Sequence, residues 1–227
     1  MGHYSVFDIA GPIMVGPSSS HTAGACKIGQ LAQAVFDDRP EKVIFQLHGS
    51  FATVTKGHAT DRALLGGIMK FKTSDPRIKD AFDHAKKLGI RYKYEIVDLG
   101  PQFHPNTVRI IMEKGGRKMT VTGSSIGGGI VMISHINDFE VDIRATAGKY
   151  KSLIISHKAN PAIITSVTQR LANHKIHIID IQTTQVNDHA ISIVNFDSDD
   201  LKLKTVLEIE QIPGIEFVRS LTSLRHD

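Results

Sequence analysis

The stretch "SLIISHKANPAIITSVTQRLANHKIHIIDIQTTQVNDHAISIVNFD", Ser152 to Asp197, sets the fold class of the second half of this chain. "SLIISH" is a β-branched apolar run of strand length. "KANPA" is a turn in which Pro161 suits the first turn of a helix, where its missing N–H is no loss. "AIITSVTQRLANH" then repeats Ile163, Val167 and Leu171 at helical spacing. "KIHIIDIQTTQV" and "HAISIVNFD" read as two strands joined at Asn187-Asp188, a hairpin-type connection. Downstream, "SDDLKLKTVLEIEQI" offers Ser198 as an N-cap and Leu203, Val206 and Leu207 at helical spacing. Pro213-Gly214 stops that helix, and "IEFVRSL" is a last strand. The order β-α-β-β-α-β is the split-βαβ, ferredoxin-like arrangement.

Working outward, the 227 residues suit two domains, and the polar segment Arg144 to Lys151 is the natural boundary. The first half is mixed. Ser19 or Ser20 is expected to cap a helix from about His21 to Phe36, bearing Ile28, Leu31 and Val35. "KVIFQLHGSF" reads as a strand. "HATDRALLGGIMKF" reads as a helix that Thr60 or Asp61 caps and that Gly66-Gly67 weaken. "PRIKDAFDHAKKLG" is a helix bracketed by Pro76 and Gly89. Strands follow at "YKYEIVD", "NTVRIIME", "KMTVTGSS" and "GGIVMISHINDFEVDI".

Composition narrows the function. A formal charge of +4 with scattered cations, 6% aromatics and no tryptophan argue against a nucleic-acid binder. The single cysteine, Cys26, excludes a disulfide framework and an all-cysteine metal or cluster site made by this chain, and no metal ligand set is expected in it. Neither a leader nor an 18-residue apolar run is evident, so the expectation is a cytoplasmic chain with no membrane span.

Chemistry concentrates in "GPSSSHT", Gly16 to Thr22. A helix start leaves backbone N–H groups free for an anion, and serine hydroxyls with His21 can bind and move protons there. The competing reading is a set of capping serines beside a surface histidine. His58 in "TKGHATDR" repeats the pattern at a second helix start, and "FHPNTVRI" sets His104, Asn106 and Thr107 before a strand. "SSIGGGIV", Ser124 to Val131, joins two strands and so is no dinucleotide fingerprint; a tight turn or a close backbone approach remains.

The ordered run "SVFDIAGPIMVGPSSSHTAGACKIG", "GSFATVTKGHATD", "HPNTVRI" and "SIGGG" resembles the β subunit of bacterial iron–sulfur-dependent L-serine dehydratase over nearly the whole chain. The resemblance implies an α+β protein: a mixed α/β, allosteric-substrate-binding-like domain over residues 1–147, then a ferredoxin-like βαββαβ ACT domain over 148–227. It implies conversion of L-serine to pyruvate and ammonia at an interface with an α subunit. That subunit would carry the 4Fe–4S cluster, leaving this chain inactive alone. On these positions it makes His21 and His58 the candidates for proton transfer. Ser18, Ser19, Ser20 and Thr22 face the substrate, with His104, Asn106 and Thr107 as a further substrate-side motif. The ACT effector loop falls on Asn160 to Ala162, but Ala162 stands where the family favours glycine. That leaves two roles open for the module: effector binding at Asn160 and Ala162, or dimerisation through its sheet. A homodimer through either domain is expected. The alternatives are an amino-acid-sensing regulatory protein and a scaffold that dimerises the α subunit.

Overall fold

The computed structural model describes residues 14–54, 57–145, 151–197 and 201–221. They pack as two compact units, 14–137 with 142–145, and 138–141 with 151–221. The architecture is α+β.

The first unit is built on a six-stranded sheet of order β2-β1-β3-β4-β5-β6. Its strands are β1 (Lys42–Leu47), β2 (Arg91–Ile96), β3 (Thr107–Lys114), β4 (Arg117–Gly127), β5 (Ile130–Ile136) and β6 (Phe139–Ala145). β1 runs parallel to β2; the β1–β3, β3–β4 and β4–β5 pairs are antiparallel. Alternation drives the strands: Val43, Phe45 and Leu47 of β1 point into the core, where Val108, Ile110 and Val121 meet them. Helices α1 (Ala25–Phe36), α2 (Thr60–Ile68) and α3 (Ala81–Lys87) complete the unit. The apolar stripe Ile28, Leu31, Val35 of α1 is buried, as its spacing requires.

Gly66-Gly67 looked like a weakness in α2, and the packing explains why they are tolerated. A Cβ on Gly67 would stand 2.1 Å from the Cys26 carbonyl oxygen, and one on Gly29 would stand 2.4 Å from that of Leu64. The two helices cross backbone against backbone, a distance that no side chain permits.

Several local expectations are corrected. The cap of the first helical segment is Ser18, not Ser19 or Ser20: its extended backbone and its hydroxyl, which accepts from the His21 N–H, fit the role. α2 is preceded by Ala59 in the left-handed region and has no side-chain cap, so Thr60 and Asp61 do not serve as one. The strand "KVIFQLHGSF" ends at Leu47, and Ser50–Thr53 form a helical turn. The helix "PRIKDAFDHAKKLG" begins as a 3-10 turn, Pro76–Asp80. "GGIVMISHINDFEVDI" is two strands, β5 and β6, because Asn137 adopts φ 51° and its Oδ1 accepts from the Thr120 N–H.

The second unit is the ferredoxin-like βαββαβ order read from sequence. β7 (Lys151–Lys158), α4 (Pro161–Asn173), β8 (Ile178–Val186), β9 (His189–Phe196), α5 (Leu203–Glu210) and β10 (Ile215–Leu221) give an antiparallel sheet of order β10-β7-β9-β8. Its core joins Leu153 and Ile155 to Ile163, Val167 and Leu171, with Val194, Phe196 and Ile209 alongside. Ser198 lies outside the described residues; Lys202 precedes α5 without a side-chain cap. Leu203 is 73% exposed, so Val206 and Ile209 supply the inner face of α5 instead.

We expect Gly67→Ala to destabilise the chain by about 1–3 kcal/mol. Helix propensity alone favours that alanine by about 1 kcal/mol. Urea unfolding reads the sign, and a stabilised variant would show that the crossing has slack.

Candidate active site

The segment before α1 is a π-helical turn, Ser19–Gly24. The Ser18 carbonyl accepts from both the Thr22 N–H at 2.8 Å and the Ala23 N–H at 3.4 Å, which widens the turn. His21 leaves this turn toward Ser50, with Nε2 3.0 Å from its hydroxyl and Nδ1 3.4 Å from that of Ser18. Ser19 and Ser20 are half-buried in the same turn.

The second histidine arrives from the start of α2. The His21 and His58 rings lie 5.2 Å apart between centroids, tilted by 54°, and Phe51 packs edge-on against His21 at 5.4 Å. The Thr22 hydroxyl donates to the His58 carbonyl at 2.9 Å, so the first motif holds the second. Both ring nitrogens of His58 are buried and have no partner among the described residues, and the same holds for the hydroxyls of Thr60 and Ser125. Buried polar atoms are nearly always satisfied, so this cluster is out of the ordinary.

The third and fourth motifs close a ring around it. Gly49 has φ 56°, and a Cβ there would sit 2.6 Å from the Pro105 carbonyl oxygen. The Ser50 N–H donates to that oxygen at 2.8 Å, so the "HPNT" segment lies against the residue that His21 touches. His104 is exposed, and its Nδ1 accepts from the Asn106 N–H. The buried Thr107 hydroxyl donates to the His104 carbonyl and is 2.6 Å from the Ser124 hydroxyl. The Asn106 carbonyl accepts from the Ser125 N–H at 3.0 Å. Ser125 in turn faces Gly24, where a Cβ would fall 2.1 Å from its Oγ. The structure thus gathers His21, His58, Ser18 and Thr22 directly and links His104, Asn106 and Thr107 through Ser50 and Ser125.

Ser50 and Ser125 were not singled out from sequence, and Thr60 was read only as a helix cap. Ser50 hides in a run that reads as strand, and Ser125 where a strand meets the glycine turn. Asn160 and Ala162 lie in the second unit and bind each other: the Ala162 N–H donates to Asn160 Oδ1 at 3.0 Å, an ordinary N-cap for α4.

Burial and the neighbouring His58 hold the His21 imidazole below its ordinary value of 6.5, partly offset by a hydrogen bond at the Ser50 backbone. A neutral imidazole at neutral pH is a competent proton acceptor. Cys26 is the opposite case. Its buried thiol donates to the Phe71 carbonyl at 3.3 Å and is pushed up to about 12. Cluster ligation needs thiolates, so this residue does not fit an iron–sulfur ligand. Among the described residues no group of three or more His, Cys, Asp or Glu is placed to hold a metal ion, and no helix is long and apolar enough to cross a membrane.

Comparison with known proteins accords with this geometry. The family model for the serine dehydratase beta chain matches residues 5–135. The L-serine dehydratase beta chain of Peptoniphilus asaccharolyticus is 44% identical over 184 residues, 81% of this chain and 82% of that protein. A probable L-serine dehydratase beta chain of Bacillus subtilis is 36% identical over 216 residues, 95% of this chain and 96% of that one. L-serine dehydratase 2 of Escherichia coli is 29% identical over 153 residues, which are 56% of this chain but 33% of that protein. Among solved structures, the ACT domain from GTP pyrophosphokinase of Chlorobium tepidum aligns with 32% of this chain at 12% identity and a TM-score of 0.28. The chain belongs to the serine dehydratase beta-chain family. Its place is that of a subunit of a lyase acting in amino-acid degradation.

Because the folded His21 titrates below 6.5, its neutral form adds stability that is fully present above pH 6.5. That stability is lost as pH falls through 6.5 toward the lower folded value. Urea unfolding from pH 7 to pH 5 should therefore show a steeper decline for the native chain than for His21→Gln, and a histidine NMR titration should place His21 below 6.5.

Proposed function

We propose that this chain supplies the imidazoles and hydroxyls of an L-serine-dehydrating site, and that an alpha chain carrying a 4Fe–4S cluster completes it. The observation that carries the reading is the pair of imidazoles 5.2 Å apart between centroids, one of them with both ring nitrogens buried and without a partner among the described residues. Dehydration of L-serine requires a base for the α-proton; the aminoacrylate left by loss of water then hydrolyses to pyruvate and ammonia. His58 takes the proton, its nitrogens having no competing partner among the described residues, or His21 does so with Ser50 steadying its ring. Thr22 fixes His58 through its carbonyl, and Thr107 fixes His104 in the same way. Ser18, Ser19, Ser20 and Asn106 present polar groups to the substrate.

The cluster belongs to the alpha chain because the one thiol here is protonated and committed elsewhere. By itself the chain is inactive. Residues 1–147 form the site domain, and residues 148–227 form an ACT module that dimerises. The cap in which the Ala162 N–H donates to Asn160 Oδ1 favours the dimerising role over effector binding at those two residues. The chain works in the cytoplasm.

The test is co-expression with a cognate alpha chain under anaerobic conditions and assay of pyruvate. His58→Ala and His21→Ala should each lower kcat/KM by about 10²–10⁴-fold, while the chain without its partner yields no pyruvate. If both variants stay within about twofold of the native complex, the assignment fails.

A further inference from the structure

The triple-glycine hairpin between β4 and β5 has no role in the reading above, yet a charged side chain is buried against it. Lys27, on α1, is 8% exposed, and its Nζ donates to the Gly129 carbonyl at 2.8 Å. An ammonium carries three N–H donors, and among the described residues this is its one hydrogen bond, with no carboxylate paired to it. Burial lowers its pKa from the ordinary lysine range, which marks a cation short of compensation. A carbonyl holds such a group in place without neutralising it. An anion would both accept from its remaining N–H groups and balance its charge.

A second observation lies on the same hairpin. Ser125 is 0% exposed and its hydroxyl has no partner among the described residues. It sits against Gly24, whose missing side chain makes the contact possible. Gly24 and Lys27 are three residues apart, on one face of the helical segment. That face meets the hairpin at Ser125 and again at Gly129, and it begins one turn beyond His21. Gly127, Gly128 and Gly129 all have positive φ, so the hairpin turns its Gly129 carbonyl to Lys27 with no side chain intervening.

We propose that Lys27 and Ser125 form the subsite for the carboxylate of the substrate amino acid, one point charge and one hydroxyl donor for its two oxygens. The proposal rests on the reading that this ring of motifs takes L-serine. It gives a function to the "GGG" signature: a hairpin close enough to bury a lysine against its own backbone.

The experiment uses the complex with the cognate alpha chain. Lys27→Met, an apolar near-isostere, should raise KM for L-serine at least tenfold with kcat within threefold, and Ser125→Ala should raise it at least threefold. The ratio of inhibition constants for L-alaninamide and L-alanine should narrow in Lys27→Met by the same factor as KM rises, which a purely structural lysine would not produce. An unchanged KM or an unchanged ratio overturns the proposal. Should Lys27→Met not assemble with the alpha chain, Lys27→Arg and Ser125→Ala carry the same test, and a KM within twofold in both overturns it. The two readings fail separately: loss of activity in His58→Ala with unaltered KM in the lysine variants leaves the dehydratase site standing and removes only the carboxylate subsite.

Discussion

The first unit depends on the close crossing of α1 and α2. Gly29 and Gly67 allow the two helix backbones to touch, and each helix carries a histidine motif at its start. Were the helices held apart by even one methyl on each, the π-helical turn and the His58 loop would separate. The hydrogen bond from Thr22 to the His58 carbonyl and the contact between the two rings depend on that spacing. The glycines lower helix propensity, and in return two loops from distant parts of the sequence meet as one site. A core of this density transmits such a constraint with little slack.

How much of this was legible varies with the physics that fixes each part. The βαββαβ order of the second unit was readable because β-branched strands, a Pro-led helix and an Asn-Asp turn each carry a local signal. The stripe of α1 was readable for the same reason. Failures came where tertiary contacts decide. β5 and β6 merge in sequence because Asn137, not glycine, makes the turn, using its own side chain to accept from Thr120. Leu203 fits a helical stripe yet stands in the open, since α5 turns Val206 and Ile209 inward. At the site, the histidines could be named from their motifs, but Ser50 and Ser125 could not, and Thr60 only as a helix cap. Their significance lies in having no partner or in touching a histidine, and neither property is written in local sequence.

The second unit shows what the first lacks. His157 is 2% exposed, and its Nδ1 faces the Lys158 carbonyl at 2.6 Å, an oxygen that only accepts. Nδ1 therefore carries the proton, Nε2 accepts from Ser192, and the Ser192 oxygen accepts from Thr183. Every donor in that buried chain has one acceptor, and one arrangement satisfies all of it. Among the described residues His58, Thr60 and Ser125 find no such partners, in a region just as carefully packed. Each unmet group costs on the order of 1–3 kcal/mol, a cost that the proposed binding of a substrate would offset. In the proposed reading these open valences are met by the substrate, and two imidazole nitrogens with two hydroxyls suit a small, polar one.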